Sequence, residues 1–247
     1  MAGEAEKVWD SIWKKQLDTA DKLLEINELA ITIFEALSRE ILDLADKEIL
    51  EAGSGTGLTS LLLSRKSAQV TLMDISAAAL EISKRNFELD GQKAVFMRGS
   101  IFDIPAPDAS YDVVWNAGVL EHFNFEQQKL AIKEMLRVCK PNGMVITLNP
   151  YAKAYIYRIG KFIQEKLGVW PFGYEEPVKT LKLHIPVTGV LVREYSIGFK
   201  EQLTYLYPSI FAKITKTILG NFPKLGLKLL NGYLLVSVIS KKSEDIA

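Results

Sequence analysis

The sequence predicts an α/β fold, one domain built on a largely parallel sheet, and three observations carry that expectation. From Glu48 onward, short apolar runs alternate with segments of helical period, the pattern of β-α-β units. The first of these runs ends in Gly53-Ser54-Gly55-Thr56-Gly57, a glycine-rich turn from strand into helix. The chain has 247 residues, of which 48% are hydrophobic, enough for one sizeable core with decorations.

Taken in order, the elements begin with a helical preface. Val8, Ile12, Trp13, Leu17, Ala20, Leu24, Ile31 and Phe34 recur at helical spacing among charged residues. A break is expected near Asp18-Thr19, where a side-chain oxygen is suited to capping a new helix. Strand one is read at about 48–52, with a helix over about 57–65. Strand two is Val70-Thr71-Leu72-Met73-Asp74, and its helix, about 77–89, stops at Asp90-Gly91. Strand three covers about 94–97. Strand four, Tyr111 to Asn116, leads to a helix over about 125–139 that halts before Pro141-Asn142-Gly143. Strand five is Met144 to Leu148. After Pro150 the rhythm is lost until a sixth strand, Val190 to Tyr195; helices over 208–231, broken at Pro223, and a last strand, Tyr233 to Ile239, complete the chain.

Composition removes several classes. Thirty Lys+Arg balance thirty Asp+Glu, so no global field gathers nucleic acid or an anionic surface. Cys139 is the only cysteine, which excludes an internal disulfide and a cysteine metal cluster and suits a reducing, cytoplasmic setting. The first residues lack the basic start and apolar run of a signal peptide, and no apolar stretch approaches the ~20 residues of a membrane span.

The glycine turn lets the backbone bend sharply and approach a ligand closely. A dinucleotide fingerprint needs glycine at 58, where this chain has Leu58, so an NAD-dependent oxidoreductase loses ground. Gly57-Leu58-Thr59 is not the Gly-Lys-Ser/Thr of a phosphate loop. A turn that holds nothing would leave three glycines in five residues without a reason. Asp74 ends strand two where a carboxylate accepts hydrogen bonds from ribose hydroxyls, although a solvated cap for the helix at 77 is the competing role.

Five segments in order, Ile49 to Gly57, Asp74, Gly99 to Pro105, Tyr111 to Val114 and Leu136 to Gly143, resemble the class I S-adenosylmethionine-dependent methyltransferases, within them the broad methyltransferase type 11 group. The resemblance implies a Rossmann-like seven-stranded sheet in the order 3-2-1-4-5-7-6, the last strand antiparallel, with helices on both faces. It implies S-adenosylmethionine as cofactor, with Glu51, Gly53, Ser54, Gly55 and Gly57 around its methionine end, Asp74 on the ribose, and Ser100 and Ile101 flanking adenine. Ile75 and Asn116 are placed in the same site. Family members often carry an acid at position 100, so with Ser100 adenine recognition is expected to rest on Ile101 and main chain. Residues 1–45 then form a helical lid bearing Trp9 and Trp13, 46–149 the cofactor-binding core, 150–189 an acceptor-side insertion, and 190–247 the strands and helices that complete the sheet.

Methyl transfer from a sulfonium is an in-line displacement in which alignment alone is worth about 7–11 kcal/mol, and a base is needed only for an acceptor that must lose a proton. His122, just after strand four, is the candidate catalytic base, with closure of the cofactor pocket as its alternative role; Glu121 orients it or faces solvent. The Glu-His pair resembles that of quinone O-methyltransferases, some of which hold a divalent metal, but Gly118 replaces a further Glu there and no metal is expected. Asn149-Pro150-Tyr151 follows strand five rather than strand four, which disfavours a nucleobase acceptor, and His184 between Leu183 and Ile185 suits a hydrogen-bonded structural role. The expected partner is a small-molecule acceptor methylated on oxygen or nitrogen, with no nucleic acid. The basic, apolar stretches 150–189 and 208–231 leave a lipid or isoprenoid acceptor at a membrane surface as an alternative, below amphipathic helices packed on the core. A catalytically silent S-adenosylmethionine-binding regulator is the alternative of another class.

Overall fold

The computed structural model describes residues 2–19, 24–205 and 231–242. Two helices open it, α1 (Ala2–Thr19) and α2 (Glu28–Glu40). The expected cap is displaced: Thr19 is the last residue of α1, and the new helix starts from Asn27, whose side chain accepts a hydrogen bond from the Ala30 amide at 2.8 Å. α2 buries Ile33, Ala36 and Leu37, spaced at three and four residues, in the core cluster that includes the sheet residues Ile49 and Val113.

Six further elements repeat the strand-helix rhythm: β1 (Glu48–Ala52), α3 (Leu58–Ser64), β2 (Gln69–Asp74), α4 (Ala77–Asp90), β3 (Val95–Arg98) and β4 (Tyr111–Ala117). They continue into α5 (Phe125–Val138), β5 (Cys139–Pro150), α6 (Tyr155–Lys166), β6 (Gly189–Ile197) and β7 (Leu234–Lys241). β1 and β2 are buried along all but their first residue, as strands covered by helices on both faces must be. The stop read at Asp90-Gly91 is present, and caps not read from the sequence join it. Ser76 caps α4, Gly91 ends it at a φ of 70°, and Asn124 with Gln127 forms a reciprocal capping box at α5.

The seven strands form one sheet in the order β3-β2-β1-β4-β5-β7-β6, with β7 antiparallel to both neighbours. This is the order implied by the family resemblance. β5 is longer than its apolar run. Its pairing with β4 jumps from Tyr111 opposite Cys139 to Val113 opposite Met144, so Pro141-Asn142-Gly143 is an excursion within the strand, with Asn142 at a φ of 62°. The expected helices over 208–231 lie outside the described residues, apart from Asn231. Among the described residues no helix is long and apolar enough to cross a membrane.

Candidate functional site

The site lies at the carboxyl ends of β1, β2 and β4, where the chain order reverses between β1 and β4 and the loops diverge. A cavity of about 380 Å³ opens there, of the size that holds a small ligand. Its floor is the glycine turn. The Gly53 and Ser54 amides both donate to the Met73 carbonyl, at 2.8 and 3.0 Å, which ties the turn to the end of β2. Gly53 has a φ of 92°, and a Cβ there would meet Val119 Cγ2 at 2.6 Å; at Gly55, with a φ of 50°, it would meet the Trp13 ring at 3.0 Å. Both positions need glycine for conformation and for space.

Of the residues singled out in the sequence, Glu51, Gly53, Ser54, Gly55, Asp74, Ile75, Ser100, Ile101 and His122 line this cavity. Asp74 Oδ2 accepts the Gly55 amide and Oδ1 the Ser76 amide, each at 2.9 Å. Burial raises this carboxyl, and the backbone bonds oppose the rise. Burial pushes Glu51 well above the ordinary carboxylate range, and its Oε2 has no hydrogen-bond partner.

Two expected site residues lie elsewhere. Gly57 does not line the cavity; a Cβ on it would meet Leu72 Cδ2 at 2.4 Å, so its glycine serves packing of the turn on β2. Asn116 points to the other face of the sheet, because Trp115 and Ala117 on either side of it line the cavity and strand side chains alternate. Its side-chain nitrogen faces Met135 Sδ of α5 at 3.5 Å.

α1 forms the roof. Trp9 and Trp13 line the cavity, Trp9 meets the His122 ring edge-on at 4.9 Å, and Asp10 accepts the Ser76 hydroxyl at 2.8 Å. His122 sits in a short 3-10 turn, Leu120–His122, directly after β4. Its Nδ1 lies 2.7 Å from the Tyr174 carbonyl, an acceptor only, so Nδ1 carries the proton and Nε2 keeps its lone pair. Burial holds the ring below the ordinary imidazole range, with Lys161 adding to the effect and the Tyr174 carbonyl opposing it. Glu121 Oε1 stands 3.9 Å from Nε2, beyond hydrogen-bonding distance.

The insertion closes the opposite wall with residues that sequence reasoning missed. The Glu176 amide donates to the Glu121 carbonyl at 2.8 Å, and with the His122 bond to Tyr174 this fastens residues 174–176 to the turn after β4. Phe172 and Glu175 thereby line the cavity, and Tyr205 and Tyr233, from later in the chain, line it beside them. Burial pushes Glu175 up to about 7, and the Tyr157 hydroxyl of α6 donates to its Oε1. Burial, followed by the charge of Glu175, pushes Glu121 well above its ordinary range. The aromatic density of Trp170, Phe172 and Tyr174 was the one signal for this wall. His184 does not line the cavity and packs on Phe125 with ring centroids 4.4 Å apart.

Residues 50–147 match the methyltransferase domain family. The ubiquinone biosynthesis O-methyltransferase of Nitrosospira multiformis is 26% identical over 193 residues, covering 76% of each chain. The demethylmenaquinone methyltransferase of Clavibacter sepedonicus is 31% identical over 111 residues, 45% of this chain and 44% of that one. The chain belongs to the class I S-adenosylmethionine-dependent methyltransferases. Across the curated relatives compared, the match spans 42% to 81% of their own length. Among solved structures, the magnesium protoporphyrin IX methyltransferase from Synechocystis, with bound S-adenosylhomocysteine, superposes on the methyltransferase with a TM-score of 0.58 at 15% identity. The match covers 87% of this chain and 82% of that one.

The cofactor of this methyltransferase is S-adenosylmethionine, and the residues present fit it. The two amide bonds on Asp74 leave lone pairs for ribose hydroxyls. The unpartnered Glu51 Oε2 suits the cationic amino group, and the bare Cα of Gly53 and Gly55 lets the cofactor lie against the backbone.

Proposed function

We propose that this methyltransferase transfers the methyl group of S-adenosylmethionine to an oxygen or nitrogen of a small-molecule acceptor, with His122 taking the acceptor's proton. The observation that carries the reading is the His122 ring, whose Nδ1 is engaged by the Tyr174 carbonyl while Nε2 stays free in the cavity shared with Glu51 and Asp74. When bound, the cofactor supplies a methyl group made electrophilic by a sulfonium charge. The chain's own residues bind, orient and exclude water. Glu51, Gly53, Ser54 and Gly55 hold the methionine end, Asp74 and Ile75 the ribose, and Ser100 and Ile101 the adenine. Trp9 and Trp13 form a lid over both reactants. Alignment under this lid supplies most of the rate, and the neutral, depressed imidazole supplies proton removal.

The relatives named for ubiquinone and menaquinone biosynthesis support a small organic acceptor. Incubation of the protein with methyl-labelled S-adenosylmethionine and fractionated cell extract tests the reading. A labelled small molecule is expected. Micromolar binding of S-adenosylhomocysteine with no labelled product in any fraction would favour a silent binding protein instead.

A further inference from the structure

The acceptor side of the cavity holds a second pair of acids that the cofactor site does not use. Glu121 is 3% exposed, lines the cavity, and its Oε2 has no hydrogen-bond partner. Glu175, 9% exposed, faces the same space from the insertion, near enough for its charge to act on Glu121. Among the described residues no Lys or Arg lines the cavity. Lys161, a nearby cation, is taken up by Glu165 and by the face of Trp170, 5.0 Å from its ring centre. A buried carboxyl oxygen without a partner, as at Glu121, is costly, and a second buried acid facing the same space adds to the cost. The architecture nonetheless builds the pair deliberately: two hydrogen bonds fasten residues 174–176 to the turn carrying Glu121, and Tyr157 orients Glu175.

We infer that Glu121 and Glu175 form the acceptor-recognition subsite and that the acceptor is a primary or secondary amine, received as its ammonium ion. The inference rests on the methyl-transfer reading above. An ammonium offers two or three donors and a positive charge, whereas a hydroxyl offers one donor and no charge. The rings of Trp9, Phe172, Tyr205 and Tyr233 line the same cavity, and aromatic rings attract a cation placed over their faces. An anionic acceptor meets two acids and no Lys or Arg in the lining. The nitrogen gives one proton to His122 Nε2, the freed lone pair forms the new N–C bond, and the electron pair of the broken S–C bond stays on sulfur. The product leaves as a methylated ammonium, so charge and atoms balance.

Calorimetry on the protein saturated with S-adenosylhomocysteine tests this with three probes of one shape: 2-phenylethylamine, 2-phenylethanol and 3-phenylpropionate. The amine is expected to bind at least tenfold more tightly than the alcohol, with no measurable binding of the carboxylate. Glu175→Gln and Glu121→Gln, which keep side-chain shape, are each expected to weaken the amine tenfold or more and to leave S-adenosylhomocysteine affinity unchanged. Equal or tighter binding of the alcohol or the carboxylate, no binding of any probe, or an amine affinity indifferent to both substitutions overturns the inference. Failure of S-adenosylhomocysteine to bind the wild-type protein instead overturns the reading beneath it.

Discussion

A carboxyl held for a ligand destabilises the protein that holds it, and Glu175→Gln measures by how much. Burial raises Glu175 from 4.5 to about 7, so between those values the folded chain binds a proton that the unfolded chain has released. Stability from this group therefore falls as pH rises through that window and is lowest above pH 7. At 1.36 kcal/mol per pKa unit, the full shift amounts to about 3 kcal/mol of destabilisation at pH 8, shrinking to under about 1 kcal/mol at pH 5. Glutamine carries no charge to desolvate, and its carbonyl oxygen keeps an acceptor for the Tyr157 hydroxyl. Urea unfolding of ligand-free wild type and Glu175→Gln should show the variant more stable by about 3 kcal/mol at pH 8 and nearly matched at pH 5. A variant no more stable than wild type at pH 8, or a gap of equal size at both pH values, would refute the burial argument.

Other predictions follow from the same geometry. His122→Ala should lower turnover by ~10²-fold with S-adenosylhomocysteine affinity unchanged, read by label transfer; an unchanged rate would retire the base. Because burial holds His122 below 6.5, the acid limb of kcat should lie below pH 6.5, where protonation removes the Nε2 lone pair, and a limb above that value would contradict the assignment. Asp74→Asn should weaken S-adenosylhomocysteine by ~10- to 100-fold, the scale of hydrogen bonds to a charged group; calorimetry finding equal affinity would place the ribose elsewhere. Gly57→Ala, at a φ of 67° and with Leu72 Cδ2 only 2.4 Å from the added carbon, should cost about 1–3 kcal/mol of stability. A loss of cofactor affinity without loss of stability would return Gly57 to the ligand surface.

The cofactor half was legible because its chemistry is local in sequence. Gly53 and Gly55 lie in the turn that leaves β1 and Asp74 ends β2, and a strand end fixes both position and direction. Gly57 and Asn116 show the limit of that logic. A positive φ serves packing as well as ligand approach, and one residue along a strand reverses the face presented. The acceptor half was not legible because no single segment forms it. Glu175 comes from an aperiodic stretch whose place is set by hydrogen bonds to the turn after β4, while Tyr205 and Tyr233 come from still farther along the chain and pair through their hydroxyls at 2.7 Å. Patterns of period 2 or 3.6 carry no information about such meetings.

α1 joins the two halves. Trp9 and Trp13 are four residues apart and so share one face of the helix. Trp13 lies on Gly55 of the cofactor turn, Trp9 lies against His122 and, at 6.3 Å between ring centres, Phe172 of the insertion, and Asp10 between them accepts the hydroxyl of Ser76 beside Asp74. One rigid element thus touches the cofactor turn, the end of β2, the candidate base and the acceptor wall. For a displacement whose electrophile is already charged, the barrier is governed by how closely donor, methyl and acceptor are brought into line and how fully water is kept away. A roof that registers both pockets against each other meets that requirement, and it explains why a helix with no chemistry of its own is built into the site.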